Sequence, residues 1–225
     1  MVYQNLLNMD QLTFKFPFSK RYYEQDFFVA SNNFSAFKLI DSWPNWPGKW
    51  VNIFGEKGSG KTHLSKILEK KIKKTKLIEA KNIDNKIIEE LCDIDCLIID
   101  DFENNINDNL FYSILNQSKH IDNYLLINSK SSIKDISKLK DLRSRSNSFI
   151  FMGIDLPNDD LLRVIITKTL SDNQISINPK LIDFIINNVE RSYEKMFKFL
   201  RELDEISLST GKSININLIK KVLKQ

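Results

Sequence analysis

A glycine-rich loop at residues 55–62 constrains this chain more than any other part of its sequence. It follows the pattern G-x-x-x-x-G-K-[ST], in which glycines let the backbone curl so that several N–H groups point inward. An apolar run before the loop and an amphipathic stretch after it predict the order strand, loop, helix that phosphate binding requires. The alternative is a glycine turn with a purely structural role, but such a turn does not require a strand before it and a helix after it. We therefore predict that residues 55–62 bind the phosphates of a nucleotide.

Each position of the loop has its own predicted role. Lys61 brings a positive charge to the β- and γ-phosphates, and the hydroxyl of Thr62 is placed to hold Mg²⁺. His63 follows directly, and its position places it with the predicted nucleotide-binding residues. We expect it to pack on the first helix and assign it no chemistry. The other loop residues predicted to bind the nucleotide are Gly55, Gly58, Ser59 and Gly60.

A strand that ends in two carboxylates supports the nucleotide site. The apolar run that begins at Cys96 ends in Asp100 and Asp101, as is typical of a buried parallel strand. Ligands of open parallel sheets bind at the carboxyl ends of the strands. We predict that Asp100 reaches Mg²⁺ through water and that Asp101 orients or deprotonates the attacking water. A strand followed by an acidic turn is the alternative, and the phosphate loop upstream favours the nucleotide site.

Alternating strands and helices predict an α/β core with a five-stranded parallel sheet covered on both faces. The predicted strands lie near 50–54, 76–80, 96–100, 123–128 and 148–153, and the helices near 61–73, 84–91, 107–119 and 132–145. After Pro157 the pattern changes to apolar residues at three- and four-residue spacing, which predicts a small helical domain. The predicted domains are an extended arm at 1–20, the core at 21–155 and a helical lid at 156–225.

Composition excludes several classes of protein. A net charge of +4 is too small to indicate nucleic-acid binding by itself. We find no early apolar stretch as long as a signal peptide or membrane span, so we expect a cytoplasmic protein without membrane association. Cys92 and Cys96 lack a second pair of metal ligands, and we expect both to be small buried hydrophobic residues.

The predicted core and lid resemble AAA+ ATPases, and three further residues extend the resemblance. Asn128 ends a strand that this layout places between the two phosphate-binding strands, so it resembles sensor 1, close to the γ-phosphate. Arg145 ends a Leu-Arg-Ser-Arg box that resembles the one in the replication-initiator clade. This implies an arginine finger that acts on ATP held by a neighbouring subunit, with Arg143 as the second candidate. Arg191, at the start of a lid helix, resembles sensor 2, which reaches back to the phosphates.

Residues 24–30 resemble the segment that closes over adenine in DnaA-type proteins, which adds Phe28 and Val29 to the predicted nucleotide-binding residues. The pair of carboxylates also suits that clade. DnaA carries a helix-turn-helix DNA-binding domain after its lid, whereas this sequence ends at Gln225. The chain therefore resembles the Hda family, the regulatory inactivators of DnaA, and we expect no direct sequence-specific DNA binding.

The N-terminal arm resembles a β-clamp-binding peptide, whose family form is roughly Gln-Leu-x-Leu followed by Pro or Phe. Such a peptide is recognised in a groove, where apolar side chains fill pockets. The alternative is that the arm packs on its own core, and a phenylalanine where leucine is usual leaves the register open. The predicted clamp-binding residues are Gln11, Leu12, Phe14 and Phe16.

The resemblance implies an adaptor that binds the DNA polymerase III β sliding clamp and the AAA+ domain of DnaA. Arg145 would then stimulate hydrolysis of DnaA-bound ATP and so limit replication initiation. The chain's own site is expected to hold ADP or ATP with Mg²⁺ and to hydrolyse ATP weakly at most. Two alternatives stay open, a helicase-loader-type ATPase with robust turnover and a DnaA-anchoring factor that does not stimulate hydrolysis. The oligomeric state also stays open, with a homodimer among the options.

Overall fold

The computed structural model describes residues 24–103, 106–136, 145, 147–211 and 213–223. The chain divides into two compact units, an α/β core that ends at Leu156 and a helical unit that begins at Pro157. The core contains the phosphate loop and both carboxylates.

The core is built on five parallel strands, which confirms the predicted fold class. They are β1 (Trp50–Gly55), β2 (Thr75–Glu79), β3 (Cys96–Phe102), β4 (Tyr124–Ser129) and β5 (Phe149–Ile154). Their order across the sheet is β2-β3-β4-β1-β5, and every neighbouring pair is parallel. β4 thus lies between β1 and β3, as the AAA+ resemblance implies, and the carboxyl ends of all three strands meet at one edge.

Helices cover both faces of this sheet. They are α1 (Phe34–Asp41), α2 (Lys61–Lys71), α3 (Ile87–Glu90), α4 (Asp108–His120) and α5 (Ile133–Ile136). The helix predicted at 84–91 is shorter than expected, because the backbone at Ile87 and Ile88 makes turn-type bonds to residues three positions earlier.

Alternation along the strands divides the core into two apolar clusters. On β3, Ile98 packs on the α1 and α2 side, whereas Leu97 and Ile99 pack on the α3 and α4 side. All three side chains are fully buried. A strand buried on both faces needs a continuous apolar run, which is why residues 96–99 contain no polar side chain apart from a thiol.

The helical unit contains α6 (Asp159–Asp172), α7 (Pro179–Asn188), α8 (Tyr193–Thr210) and α9 (Ile216–Leu223). Asn158, Asn178 and Asn215 accept hydrogen bonds from the first-turn N–H groups of α6, α7 and α9, and Ser192 does the same for α8. The inward faces of the four helices form a separate apolar core, which includes Leu162, Ile166, Ile185, Met196, Leu200 and Ile219. None of the described helices is both long and apolar enough to cross a lipid bilayer.

The prediction for the two cysteines is half correct. Cys96 is buried in β3, and burial raises the pKa of its thiol. Cys92 is exposed, because it lies in a short turn whose neighbour Leu91 takes the inward position.

Candidate nucleotide-binding site

The phosphate loop joins the end of β1 to the start of α2. Gly58 and Gly60 adopt φ angles of 89° and 98°, in the left-handed region that favours glycine. A Cβ atom at Gly60 would also lie 2.8 Å from a ring carbon of Phe27. Steric contact and backbone conformation therefore both require glycine at residue 60, directly before the first residue of α2.

Lys61 opens α2 with its side chain turned back onto the loop. Its Nζ donates to the carbonyl oxygens of Gly55 and Glu56 at 2.7 and 2.9 Å. Burial lowers the pKa of this ammonium group, and the charges of Asp100, Asp101, Glu103 and Glu56 oppose that shift. The loop therefore holds a partly desolvated cation next to carboxylates, at the N-terminus of a helix that also attracts anions.

Four side chains from α2, β3 and β4 form what we call the polar ring: Thr62, Ser65, Asp100 and Asn128. The Thr62 hydroxyl donates to one oxygen of Asp100 at 2.8 Å. Asn128 Nδ2 donates to the other oxygen of Asp100 at 2.8 Å and to Ser65 Oγ at 2.7 Å. Asp100, Asn128 and Ser65 are buried, so these hydrogen bonds offset the cost of removing their polar groups from water. The ring ties the start of α2 to the ends of both strands.

Asp100 is the last residue of β3 that pairs with β2, opposite Glu79, and Asp101 lies just beyond that pairing. The β3–β4 register shifts between Ile99 and Phe102, and Asp101 adopts a φ of 56°. Bulges re-aim side chains in this way, and a left-handed conformation is uncommon for a residue other than glycine. Asp101 is exposed beside its buried neighbour Asp100, and its charge helps to keep Lys61 protonated.

A second buried network contacts both sequence neighbours of Asn128. Asn52 on β1 is fully buried, and its Nδ2 donates to the Ile127 carbonyl at 3.0 Å and to Ser129 Oγ at 2.9 Å. Its Oδ1 accepts the N–H of Ile133, the first residue of α5, at 3.1 Å. All the amide hydrogens and one oxygen lone pair of Asn52 are therefore used.

The segment before α1 contacts the loop through Phe27 and not through its predicted neighbour Phe28. The Phe27 ring packs edge-on against His63 at 5.3 Å between centroids and stacks on Phe37 at 5.6 Å. The Phe28 ring is 44% exposed, and the backbone carbonyl of this residue accepts a bond from Asn33. Val29 is half-buried.

The two predicted arginines have different partners. The guanidinium of Arg145 lies over the ring of Tyr112 on α4, 5.3 Å from its centroid. Tyr112 packs on the cluster opposite α2. Arg191 forms an ion pair with Asp159 at 2.9 Å within the helical unit. The structure thus brings Lys61, Thr62, Asp100, Asp101 and Asn128 together in the core, and it holds each arginine in a contact of its own.

The remaining predicted residues are one serine of the loop and several residues outside the described part of the chain. Ser59 is buried, and its hydroxyl has no hydrogen-bond partner among the described residues. The clamp-binding residues and Arg143 lie outside the described part of the chain. Ser65 and Phe27 are contacts that the sequence reasoning missed. A serine three residues after Thr62, on an otherwise apolar helix face, was the available signal for Ser65.

The oxygen donors of the site fit a magnesium nucleotide. Mg²⁺ prefers a few carboxylate or hydroxyl oxygens together with phosphate oxygens and water, and Thr62 and Asp100 offer such a pair. The described residues contain no cluster of three or more His, Cys, Asp or Glu side chains that would form a metal cage by themselves. A cleft lined by Lys49, Trp50, Lys119 and Asp122 lies at the amino ends of β1 and β4, away from the loop.

Comparison with known proteins finds a family-model match in each unit. Residues 159–223 match the family model described as the Hda lid domain, and residues 51–151 match one described as RNA helicase. Domain III of the Thermotoga maritima replication initiation protein DnaA is 18% identical with a TM-score of 0.74, covering 93% of this chain and 98% of that one.

Two further solved structures share the fold. DnaA from Aquifex aeolicus bound to AMPPCP is 18% identical with a TM-score of 0.65, covering 84% of this chain and 67% of that one. A Thermotoga maritima RuvB mutant is 16% identical with a TM-score of 0.68, covering 88% and 70%. A helical unit that matches the Hda lid domain follows a core with the fold of DnaA domain III, and together these findings confirm the resemblance to the Hda family.

Proposed function

We propose that this chain is a nucleotide-bound adaptor that docks on the sliding clamp and stimulates hydrolysis of ATP held by DnaA. The observation that supports it most is the arrangement of the polar ring and Lys61 beside the phosphate loop, in a chain whose helical unit matches the Hda lid. It would act in the cytoplasm, where replication is initiated.

In this proposal the loop binds the phosphates of ADP or ATP. The inward N–H groups and the start of α2 attract the phosphates, and Lys61 exchanges its two carbonyl partners for phosphate oxygens. This exchange is favourable because a half-buried ammonium group gains a full negative charge in place of two neutral dipoles. Thr62 and Asp100 would hold Mg²⁺, which neutralises phosphate charge when it is bound.

Arg145 is the residue that we assign to the partner's ATP. Its guanidinium rests on an aromatic face, and it forms no ion pair with any described residue. A cation–π contact orients a guanidinium without using its N–H donors. Those donors would therefore be free to approach the charge that develops on a neighbour's γ-phosphate.

Arg191 would act on the chain's own nucleotide, but only after leaving Asp159. Both side chains are more than half exposed, and an exposed ion pair contributes only about 0–1 kcal/mol. This pairing is therefore a weak competitor for the proposed contact with phosphate. Docking is assigned to the arm, through Gln11, Leu12, Phe14 and Phe16.

The experiment measures hydrolysis of radiolabelled ATP bound to DnaA, in the presence of the purified chain and clamp loaded on DNA. The wild-type chain should accelerate hydrolysis, and Arg145→Ala should abolish this effect, since loss of an arginine finger costs on the order of a thousandfold in rate. Arg163→Ala is the matched control, because Arg163 is an exposed arginine that pairs with Asp183 at 2.6 Å within the helical unit. Gln11→Ala with Leu12→Ala should remove clamp binding.

Different outcomes would identify the alternatives. Full stimulation by Arg145→Ala would contradict the finger assignment and make Arg143 the next residue to test. Recruitment of DnaA to the clamp without faster hydrolysis would indicate an anchoring factor. Robust ATP turnover by the chain alone would indicate a loader-type ATPase instead.

A further inference from the structure

Ser65 is a polar residue on a helix face that packing alone would make apolar. Its neighbours on α2, Leu64, Ile67 and Leu68, are all buried in the cluster that also contains α1. Ser65 is itself fully buried. A buried hydroxyl destabilises the fold unless it is hydrogen-bonded, so the partner of Ser65 indicates what this residue does.

That partner is Asn128. Thr62 and Ser65 lie three positions apart on α2 and therefore share one helix face. Thr62 contacts Asp100, and Ser65 contacts Asn128. The Nδ2 group of Asn128 has two hydrogens, one for Asp100 Oδ1 at 2.8 Å and one for Ser65 Oγ at 2.7 Å.

Two hydrogen-bond acceptors fix the orientation of the Asn128 amide, whereas a single acceptor would not. The terminal torsion of asparagine is broad, so a single hydrogen bond to Asp100 would leave the amide plane free to rotate. The second bond to Ser65 removes this freedom, and Asn52 bonds the Ile127 carbonyl and the Ser129 hydroxyl on either side of Asn128. The amide is then left with one polar atom, Oδ1, which is buried and has no hydrogen-bond partner among the described residues.

We propose that Ser65 is a positioning residue that acts through Asn128 and sets how the site distinguishes a nucleoside triphosphate from a diphosphate. This inference rests on the proposed function, in which the loop binds ADP or ATP, and on the resemblance of Asn128 to sensor 1, which lies close to the γ-phosphate. Ser65 itself touches no nucleotide in this account; its effect is transmitted by the orientation of one amide.

The test is the ratio of the dissociation constants for ADP and for a non-hydrolysable ATP analogue, measured by calorimetry with Mg²⁺. Ser65→Ala should change this ratio about twofold to tenfold, the range expected for the loss of one hydrogen bond. Asn128→Ala should change the ratio at least as much, and the double variant should match Asn128→Ala. Ser118→Ala is the matched control: this serine is fully buried on α4, and its hydroxyl has no hydrogen-bond partner among the described residues.

Several outcomes would overturn the inference, and thermal melting of each variant shows whether it folds. If Ser65→Ala weakens both nucleotides equally, or if the two single effects add in the double variant, Ser65 does not act through Asn128. An unchanged ratio in Asn128→Ala would remove the role of Asn128 and this inference with it. Unchanged nucleotide binding in Lys61→Ala would instead contradict the nucleotide site itself.

Discussion

Replacing Gly60 by alanine tests the close contact between the phosphate loop and the segment before α1. Gly60 has a φ of 98°, and an added Cβ atom would lie 2.8 Å from the Phe27 ring. Gly211, which ends α8, is the matched control: its φ is 63°, and no atom lies within 4 Å of an added Cβ. The two substitutions share an unfavourable backbone conformation, but only the first adds a steric contact.

The structure gives the size of each effect. A left-handed conformation costs an alanine about 1–2 kcal/mol, and restriction of the unfolded chain returns about 0.4–1 kcal/mol. Gly211→Ala should therefore destabilise its unit by about 1 kcal/mol. Gly60→Ala must also move the Phe27 ring, which packs against Phe37 and His63. With about 0.5–1.5 kcal/mol for each aromatic pair, we expect a total of about 2–4 kcal/mol.

The positions of the tryptophans allow the unfolding of the core to be followed separately. All three tryptophans of the chain, Trp43, Trp46 and Trp50, lie in the core. Urea unfolding followed by tryptophan fluorescence therefore reports the core, and far-UV circular dichroism reports both units. Gly60→Ala should lower the fluorescence midpoint and weaken ADP binding at least tenfold, because Phe27 and the start of α2 move together. Gly211→Ala should leave both quantities unchanged. A Gly60→Ala variant with the stability and ADP affinity of the wild type would refute this reasoning.

Two further predictions concern Lys61 and Asn52. The pKa of Lys61 is lowered from 10.5, so Lys61 loses its charge at a lower pH than a free lysine. The affinity of the wild type for ADP, measured by calorimetry, should therefore fall as the pH rises toward 10.5. The Lys61→Arg variant should keep its affinity for ADP over the same range. Asn52→Leu leaves the Ile133 N–H without its acceptor and removes two further hydrogen bonds, so urea unfolding should show a loss of about 2–4 kcal/mol. Asn123→Ala removes a single hydrogen bond to the Leu91 carbonyl, so its free energy of unfolding should fall by about 1 kcal/mol. Equal losses of stability in the two variants would contradict the role of Asn52 as a residue that makes three hydrogen bonds at once.

The sequence predicted the strands and helices well because each depends on a local pattern. Apolar runs such as residues 96–99 predict buried strands, and three- and four-residue spacing predicts the helices after Pro157. The contact of Thr62 with Asp100 was also predictable in outline, since both motifs must meet at one edge of a parallel sheet.

The parts of the site that the sequence did not predict depend on contacts between residues that are distant in sequence. Asn52 and Ile133 meet only because β1, β4 and α5 are adjacent in space. Phe27 reaches Gly60 through the packing of α1 on α2, and no local pattern distinguishes it from Phe28. The positive φ of Asp101 follows from the register shift of β3 against β4. Such features need the assembled sheet.

The asparagine caps have a consequence for the behaviour of this protein in acid. Among the described helices, α4, α6, α7 and α9 begin after Asn107, Asn158, Asn178 and Asn215, whose amide oxygens accept first-turn N–H groups. An aspartate in the same place would lose its charge near its ordinary pKa of about 4, but a carboxamide does not titrate. The hydrogen bonds from these four caps are therefore kept over the whole working range of pH, and the caps themselves need no counterion. Acid therefore leaves the cap hydrogen bonds themselves intact.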